Sequence, residues 1–217
     1  MKKAIVLGGS RGIGGAISES LKNADILIDV HSFSSKEVDT GDVNHIDRLL
    51  QNHPEVDILV LNTGGPPSMN FFDIKANDWE KSHNQLFLGF VKILQNIKIK
   101  DNGYVFLISS FNIKEPNPKL ILSNCYRMAF VSVFKSLSKI FASSKISFIN
   151  IAPGPINTDR LVNLGVDLEA LAEKQPMGYV PEPKEIGDFV TSIVEKEINY
   201  LSGVTINFDG AAGNYVL

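Results

Sequence analysis

Near the N-terminus, Gly8-Gly9-Ser10-Arg11-Gly12-Ile13-Gly14 has the residue types and spacing of an anion-binding turn. Glycines let the backbone come close to a ligand. Where such a turn opens a helix, free N–H groups and the helix dipole favour a phosphate or pyrophosphate. A second chemically capable set lies mid-chain, Ser109-Ser110 followed by Ser123-Asn124-Cys125-Tyr126-Arg127. Ser123 and Arg127 are four residues apart and share one helix face, which sets a hydroxyl beside a permanent cation able to stabilise an oxyanion. Cys125 has no His nearby and reads as a small buried apolar side chain. The four histidines lack metal-ligand spacing, so no metal site is expected.

The elements that must position these residues alternate along the chain. Strands are expected at Ala4 to Leu7, Ile26 to Val30, a short Lys36 to Val38, Ile58 to Leu61, Tyr104 to Ser109, Ile146 to Ile151 and Val204 to Phe208. Helices are expected at Ile13 to Leu21, His45 to Gln51, Trp79 to Ile97, Leu120 to Ala142 and Lys184 to Val194. This α/β alternation predicts a Rossmann-type, doubly wound, seven-stranded parallel sheet in one domain spanning residues 1–217. Ligands of such sheets bind outside the carboxyl ends of the strands, so the loops after Leu7, Val30, Leu61, Ser109 and Ile151 should line the site.

Composition narrows the function classes. At 217 residues, with 44% hydrophobic and 21% charged, the chain can bury a full core. A net charge of −3 offers no general attraction to nucleic acid or anionic lipid. Charges interrupt every apolar stretch, and the basic start runs into the glycine turn within a few residues, so neither a membrane span nor a secretory signal is expected. A lone cysteine excludes an internal disulfide framework and fits a reducing cytoplasm. A small-molecule substrate or a protein partner remains.

Five ordered motifs make the chain resemble the short-chain dehydrogenase/reductase family over nearly its whole length. The glycine turn is similar to the family's phosphate-binding loop, and Asp42-Val43 resembles the Asp-hydrophobic pair beside the adenine. Asn62-Thr63-Gly64-Gly65 resembles the Asn-Ala-Gly motif after the fourth strand. Pro153-Gly154-Pro155-Ile156-Asn157-Thr158 looks like the stretch that holds the nicotinamide end, and Phe208-Asp209-Gly210 is similar to the C-terminal Val-Asp-Gly.

The resemblance implies a catalytic set and shows where this chain departs from it. Lys135, eight residues after Arg127, registers Arg127 at the position of the family's lysine. Ser123 then takes the tyrosine's place, and Ser110, thirteen residues earlier, takes the serine's. A rival register makes Tyr126 the catalytic tyrosine, with Phe130 at the lysine position. The family's helix asparagine, counted from Trp79, falls on Leu86, with Asn84 and Gln85 adjacent but on other faces.

Tyr126 also reads as a side chain packed on a neighbouring helix. Arg11, His31, Ser32, Ser34 and Ser35 suit the 2′-phosphate of NADP, whereas Asp29 would favour NAD. NADP is the expected cofactor, and NAD stays open. Two functions follow: an oxidoreductase acting on a small carbonyl or alcohol, or a non-catalytic dinucleotide-binding protein. The stretch Leu161 to Pro183, with Leu161, Leu164, Leu168 and Leu171, reads as an apolar lid over the substrate. Apolar residues on the helices at Trp79 to Ile97 and Leu120 to Ala142 imply a homodimer or homotetramer, because the family pairs these helices across a two-fold axis.

Overall fold

The computed structural model describes residues 1–159, 161 and 165–216. Six parallel strands form one sheet: β1 (Lys2–Leu7), β2 (Ile28–Phe33), β3 (Glu55–Leu61), β4 (Lys98–Ile108), β5 (Ser147–Pro153) and β6 (Val204–Phe208). Their order across the sheet is β2-β1-β3-β4-β5-β6. The α/β architecture expected from the sequence is therefore present, with six strands rather than seven. The missing strand is Lys36 to Val38. Both the amide and the hydroxyl of Ser34 donate to the Glu37 carboxylate, at 2.8 and 2.7 Å, and Val38 N–H returns to Ser34 O at 2.9 Å. That closes a turn where an extended run was expected. Val38 is apolar because it is buried in the core, not because it pairs in the sheet.

The helices are α1 (Gly12–Lys22), α2 (Val43–Asn52), α3 (Ala76–His83), α4 (Gly89–Asn96), α5 (Ile121–Ile140), α6 (Leu168–Glu173) and α7 (Lys184–Glu195). One sheet face buries Ile5, Leu59, Leu61, Val105 and Phe148 against Ile46, Phe90, Ile93, Phe130 and Phe134 of α2, α4 and α5. The other buries Val6, Ile58, Val60, Phe106 and Ile151 against Ile17, Leu21, Ile186 and Val190 of α1 and α7. Alternation along each parallel strand supplies both cores at once, which is why these strands read as continuous apolar runs.

The expected long helix from Trp79 to Ile97 is interrupted. Between α3 and α4, Asn84–Leu88 forms a π-turn. The α4 end of this turn presses so closely on the loop after β2 that a Cβ on Gly89 would overlap the Thr40 carbonyl oxygen. No helix among the described residues is long and apolar enough to cross a membrane. Of the lid leucines, Leu164 lies outside the described residues. Leu168 and Leu171 belong to α6, whose N-terminus is capped by the Asp167 carboxylate accepting from the amides of Glu169 and Ala170.

Candidate active site

The strand ends and helix starts converge above the carboxyl edge of the sheet. The turn Gly8 to Gly14 runs from β1 into α1, with Arg11 as the extended N-cap and Gly12, Ile13 and Gly14 in the first helical turn. Gly14 lies against the loop it follows, since a Cβ there would overlap the Gly8 carbonyl oxygen. Asn62, just past β3, donates from Nδ2 to Leu7 O and Gly8 O, both at 3.3 Å, and so ties the turn to the neighbouring strand end.

A cleft of about 640 Å³ opens beside this turn, lined by Gly9, Ser10, Arg11, Gly12 and Ser32 among others. Strand β2 runs to Phe33, farther than expected, so His31 and Ser32 lie within the strand and face opposite sides. Ser32 faces the cleft, and its Oγ is buried with no hydrogen-bond partner among the described residues. His31 points to the other face, where its Nε2 is 2.9 Å from Asp29 Oδ2 and its ring is 4.6 Å from that of His53. Asp42 caps α2 by accepting from Asn44 N–H at 2.8 Å, which holds its carboxyl below the usual range, and Val43 opens that helix half-exposed.

At the far end of the site, Pro153 closes β5 and Gly154 N–H donates to Phe208 O at 2.9 Å. Ile156 is buried in the core. A Cβ on Gly12 would stand 3.5 Å from the Thr158 methyl, so the loops after β1 and β5 meet. Arg11 and Asp159 form an exposed ion pair at 3.9 Å, a geometry worth little to stability. A smaller cleft of about 260 Å³ lies between the strand-end residues Pro155, Phe208 and Asp209 and the segment carrying Met177, Tyr179 and Pro181.

Ser123 and Arg127 meet as their spacing predicts. Arg127 Nε donates to Ser123 Oγ at 3.1 Å, Nη1 to Ile108 O at 2.9 Å and Nη2 to Thr63 O at 3.1 Å. The planar fork thus spans the ends of β3 and β4 from its seat on α5, a reach that a lysine ammonium does not match. Ser123 is buried. Ser110 stands two residues beyond Ile108, where its Oγ accepts from Asn112 N–H at 3.2 Å and caps the short turn Phe111–Ile113. Tyr126 points into the seam between α3 and α5, its ring 6.0 Å from that of Trp79 and 5.3 Å from that of His83, and burial raises its phenol above the ordinary value. Cys125, expected to be buried, is exposed, because the helix turns this position away from the sheet.

Two residues of the site were missed in the sequence. Gln85 Nε2 donates to Thr63 Oγ1 at 3.1 Å and Gly64 O at 3.2 Å, while Thr40 Oγ1 donates to Gln85 O at 2.9 Å. Regular helical spacing puts Gln85 off the site's face. The π-turn adds a residue and re-aims it. Leu86, at the position of the family's asparagine, is buried instead. The available signal was the polar pair Asn84-Gln85 within an apolar helix followed by Gly89. No group of three or more His, Cys, Asp or Glu among the described residues could hold a metal ion.

Residues 37–211 match the family model described as enoyl-(acyl carrier protein) reductase. A 3-oxoacyl-[acyl-carrier-protein] reductase of Buchnera aphidicola is 25% identical, with 96% of each chain covered. Glucose 1-dehydrogenase 2 of Bacillus subtilis is 27% identical, with 99% of this chain and 95% of that one covered. Among solved structures, a short-chain dehydrogenase/reductase from Serratia marcescens superimposes with a TM-score of 0.82 at 20% identity, covering 96% of each chain. A short-chain glucose/ribitol dehydrogenase from Brucella melitensis gives 0.83 at 16%, covering 97% of this chain and 96% of that one, and at these identities both structures speak for the fold alone. With the family model matching most of its length, the chain belongs to the short-chain dehydrogenase/reductase family of oxidoreductases.

Proposed function

We propose that the protein is an NADP-dependent oxidoreductase acting on a small carbonyl or alcohol, with Ser110, Ser123 and Arg127 around the reacting oxygen. The observation that carries this reading is the Arg127 Nε donation to Ser123 Oγ at 3.1 Å. The names of the relatives favour turnover over a dinucleotide-binding protein without it.

The residues present fit the dinucleotide. The glycine turn and Asn62 would hold the pyrophosphate end. Thr63, Gly64, Gly154, Ile156 and Thr158 would flank the nicotinamide, and Asp42-Val43 the adenine. The unpartnered buried Ser32 Oγ lies beside Arg11 and Ser10 in the larger cleft, a donor set suited to the 2′-phosphate of NADP. Asp29, the acid that would favour NAD, is engaged with His31 on the opposite face of β2.

When bound, NADPH supplies a hydride to the carbonyl carbon. Because Ser123 Oγ accepts from Arg127, its own O–H is left to donate to the substrate oxygen as negative charge grows there. The guanidinium beside it stabilises that charge. A serine hydroxyl is a far weaker acid than a phenol, whose ordinary value is about 10, so the proton reaches the oxygen from water through the Ser123 hydrogen bond. A positioned acid is typically worth about 10²–10⁴ in rate, and turnover should fall short of efficient reductases by a factor of that order.

Calorimetry with NADPH and NADH, followed by NADPH oxidation against carbonyl compounds including an acetoacetyl thioester, tests the reading. NADPH should bind more tightly, and Arg11→Ala should erase the preference. Absence of binding by either dinucleotide at millimolar concentration overturns it.

A further inference from the structure

We infer that Gln85 is a positioning residue that holds the loop after β3 where Arg127 grips it and ties that loop to the segment before α2. Thr63 is held from two directions, its side chain by Gln85 Nε2 at 3.1 Å and its backbone carbonyl by Arg127 Nη2 at 3.1 Å. The same amide nitrogen reaches Gly64 O at 3.2 Å. A carbonyl oxygen only accepts, so the amide group must present its nitrogen, and its two hydrogens match the two acceptors. A Cβ on Gly64 would meet nothing within 4 Å, so close packing does not fix this stretch from that side and hydrogen bonds must do so.

The backbone of Gln85 is committed as well. A π-turn breaks the regular carbonyl ladder, and here the Gln85 carbonyl accepts from Thr40 Oγ1 at 2.9 Å. Thr40 is buried, and its hydroxyl also lies 3.4 Å from Thr63 Oγ1. Thr40 precedes Asp42 by two residues, so Gln85 links the adenine side of the site to the loop that Arg127 braces.

The inference deepens the proposed function, but its test has an arm that needs no cofactor. Hydrogen exchange of backbone amides in residues 60–68 would be followed in the wild type, Gln85→Leu and Gln85→Glu, each without ligand, alongside NADPH calorimetry. Gln85→Leu should exchange faster around Thr63 and Gly64 and bind NADPH about three- to tenfold more weakly, the scale set by loss of one or two hydrogen bonds. Gln85→Glu should behave like Gln85→Leu at about pH 8, where a carboxylate has no proton to donate. Relative to the wild type at the same pH, it should recover protection as the pH falls to about 4 and below, through the ordinary carboxyl value of about 4.3, where the acid form regains a donor. A merely space-filling residue would show no such pH-dependent rescue. Wild-type exchange in Gln85→Leu, or a pH-independent Gln85→Glu, overturns the inference. Failure of the wild type to bind NADPH would sink the proposed function and leave the exchange arm to decide this one.

Discussion

Ser123 and Arg127 are joined by a hydrogen bond in which the hydroxyl oxygen accepts from a charged donor, which leaves the hydroxyl's own proton to be donated elsewhere. Arg127 also holds two strand-end carbonyls, so Arg127→Lys alone should cost about 1–3 kcal/mol in denaturant unfolding as one ammonium replaces a three-point fork. Ser123→Tyr combined with Arg127→Lys should nevertheless raise carbonyl reduction, since a tunable phenolic acid beside a cation replaces a poor one. Tyr126→Phe should leave native activity nearly unchanged, as its ring packs on Trp79 and His83 in the helix seam. Ser110→Ala should lower turnover by removing a donor at the end of β4. Steady-state rates of these variants, with folding checked by cofactor affinity, separate this arrangement from one centred on Tyr126. A fast wild type inactivated by Tyr126→Phe would refute it.

Among the elements, the interrupted helix from α3 to α4 has the most bearing on the site. Its π-turn aims Gln85 at the loop after β3, and Gly89 lets the following turn lie on the Thr40 carbonyl. Alanine is normally the better helix former, by about 1 kcal/mol. Here Gly89→Ala should destabilise instead, by about 1–3 kcal/mol, because the added methyl has only backbone to meet and either the helix or the Thr40 loop must move. Chemical denaturation of the variant measures the sign. A gain in stability would mean that the helix does not sit as closely on Thr40 as the geometry requires.

For the molecule as a whole, two measurements follow. Leu88, at the end of the π-turn between α3 and α4, and Met128 on α5 are exposed, and the rings of Trp79, His83 and Tyr126 meet edge-on or tilted in the seam between these helices. Burying Leu88 and Met128 against a second copy should give a dimer or tetramer in sedimentation at micromolar concentration, and a clean monomer would contradict it. The second concerns acid stability. Burial, with Lys3 and His31 nearby, lowers the His53 pKa below its ordinary 6.5, and Asp29 only partly opposes the shift. The unfolded chain therefore takes up a proton at this position before the folded one does, so stability falls as pH drops through about 6.5 toward the folded value. His53→Phe keeps a ring against Phe33 and should flatten that part of the stability profile measured by urea titration. An unchanged slope would remove His53 as the cause.

Local chemistry and period were enough to read much of this protein from its sequence. The Gly8 to Gly14 turn between β1 and α1, the doubly apolar strands and the Ser123–Arg127 pair each depend on residues close together in the chain. The sixfold sheet was overcounted because Val38 carries the same apolar signal whether it pairs as a strand or packs into the core from a turn. His31 and Ser32 were grouped together because the end of β2 was set too early, and only their strand periodicity separates the cleft-facing Ser32 from His31. Gln85 and Thr40 stand farthest from anything the sequence could declare. Their roles depend on contacts across 22 and 45 residues of chain and on a π-turn that rotates one side chain out of helical register. Periodicity assumes regular backbone. Where a tertiary contact rewards departing from it, as the Thr40 hydroxyl does by taking the Gln85 carbonyl, only the folded structure decides which face a residue presents.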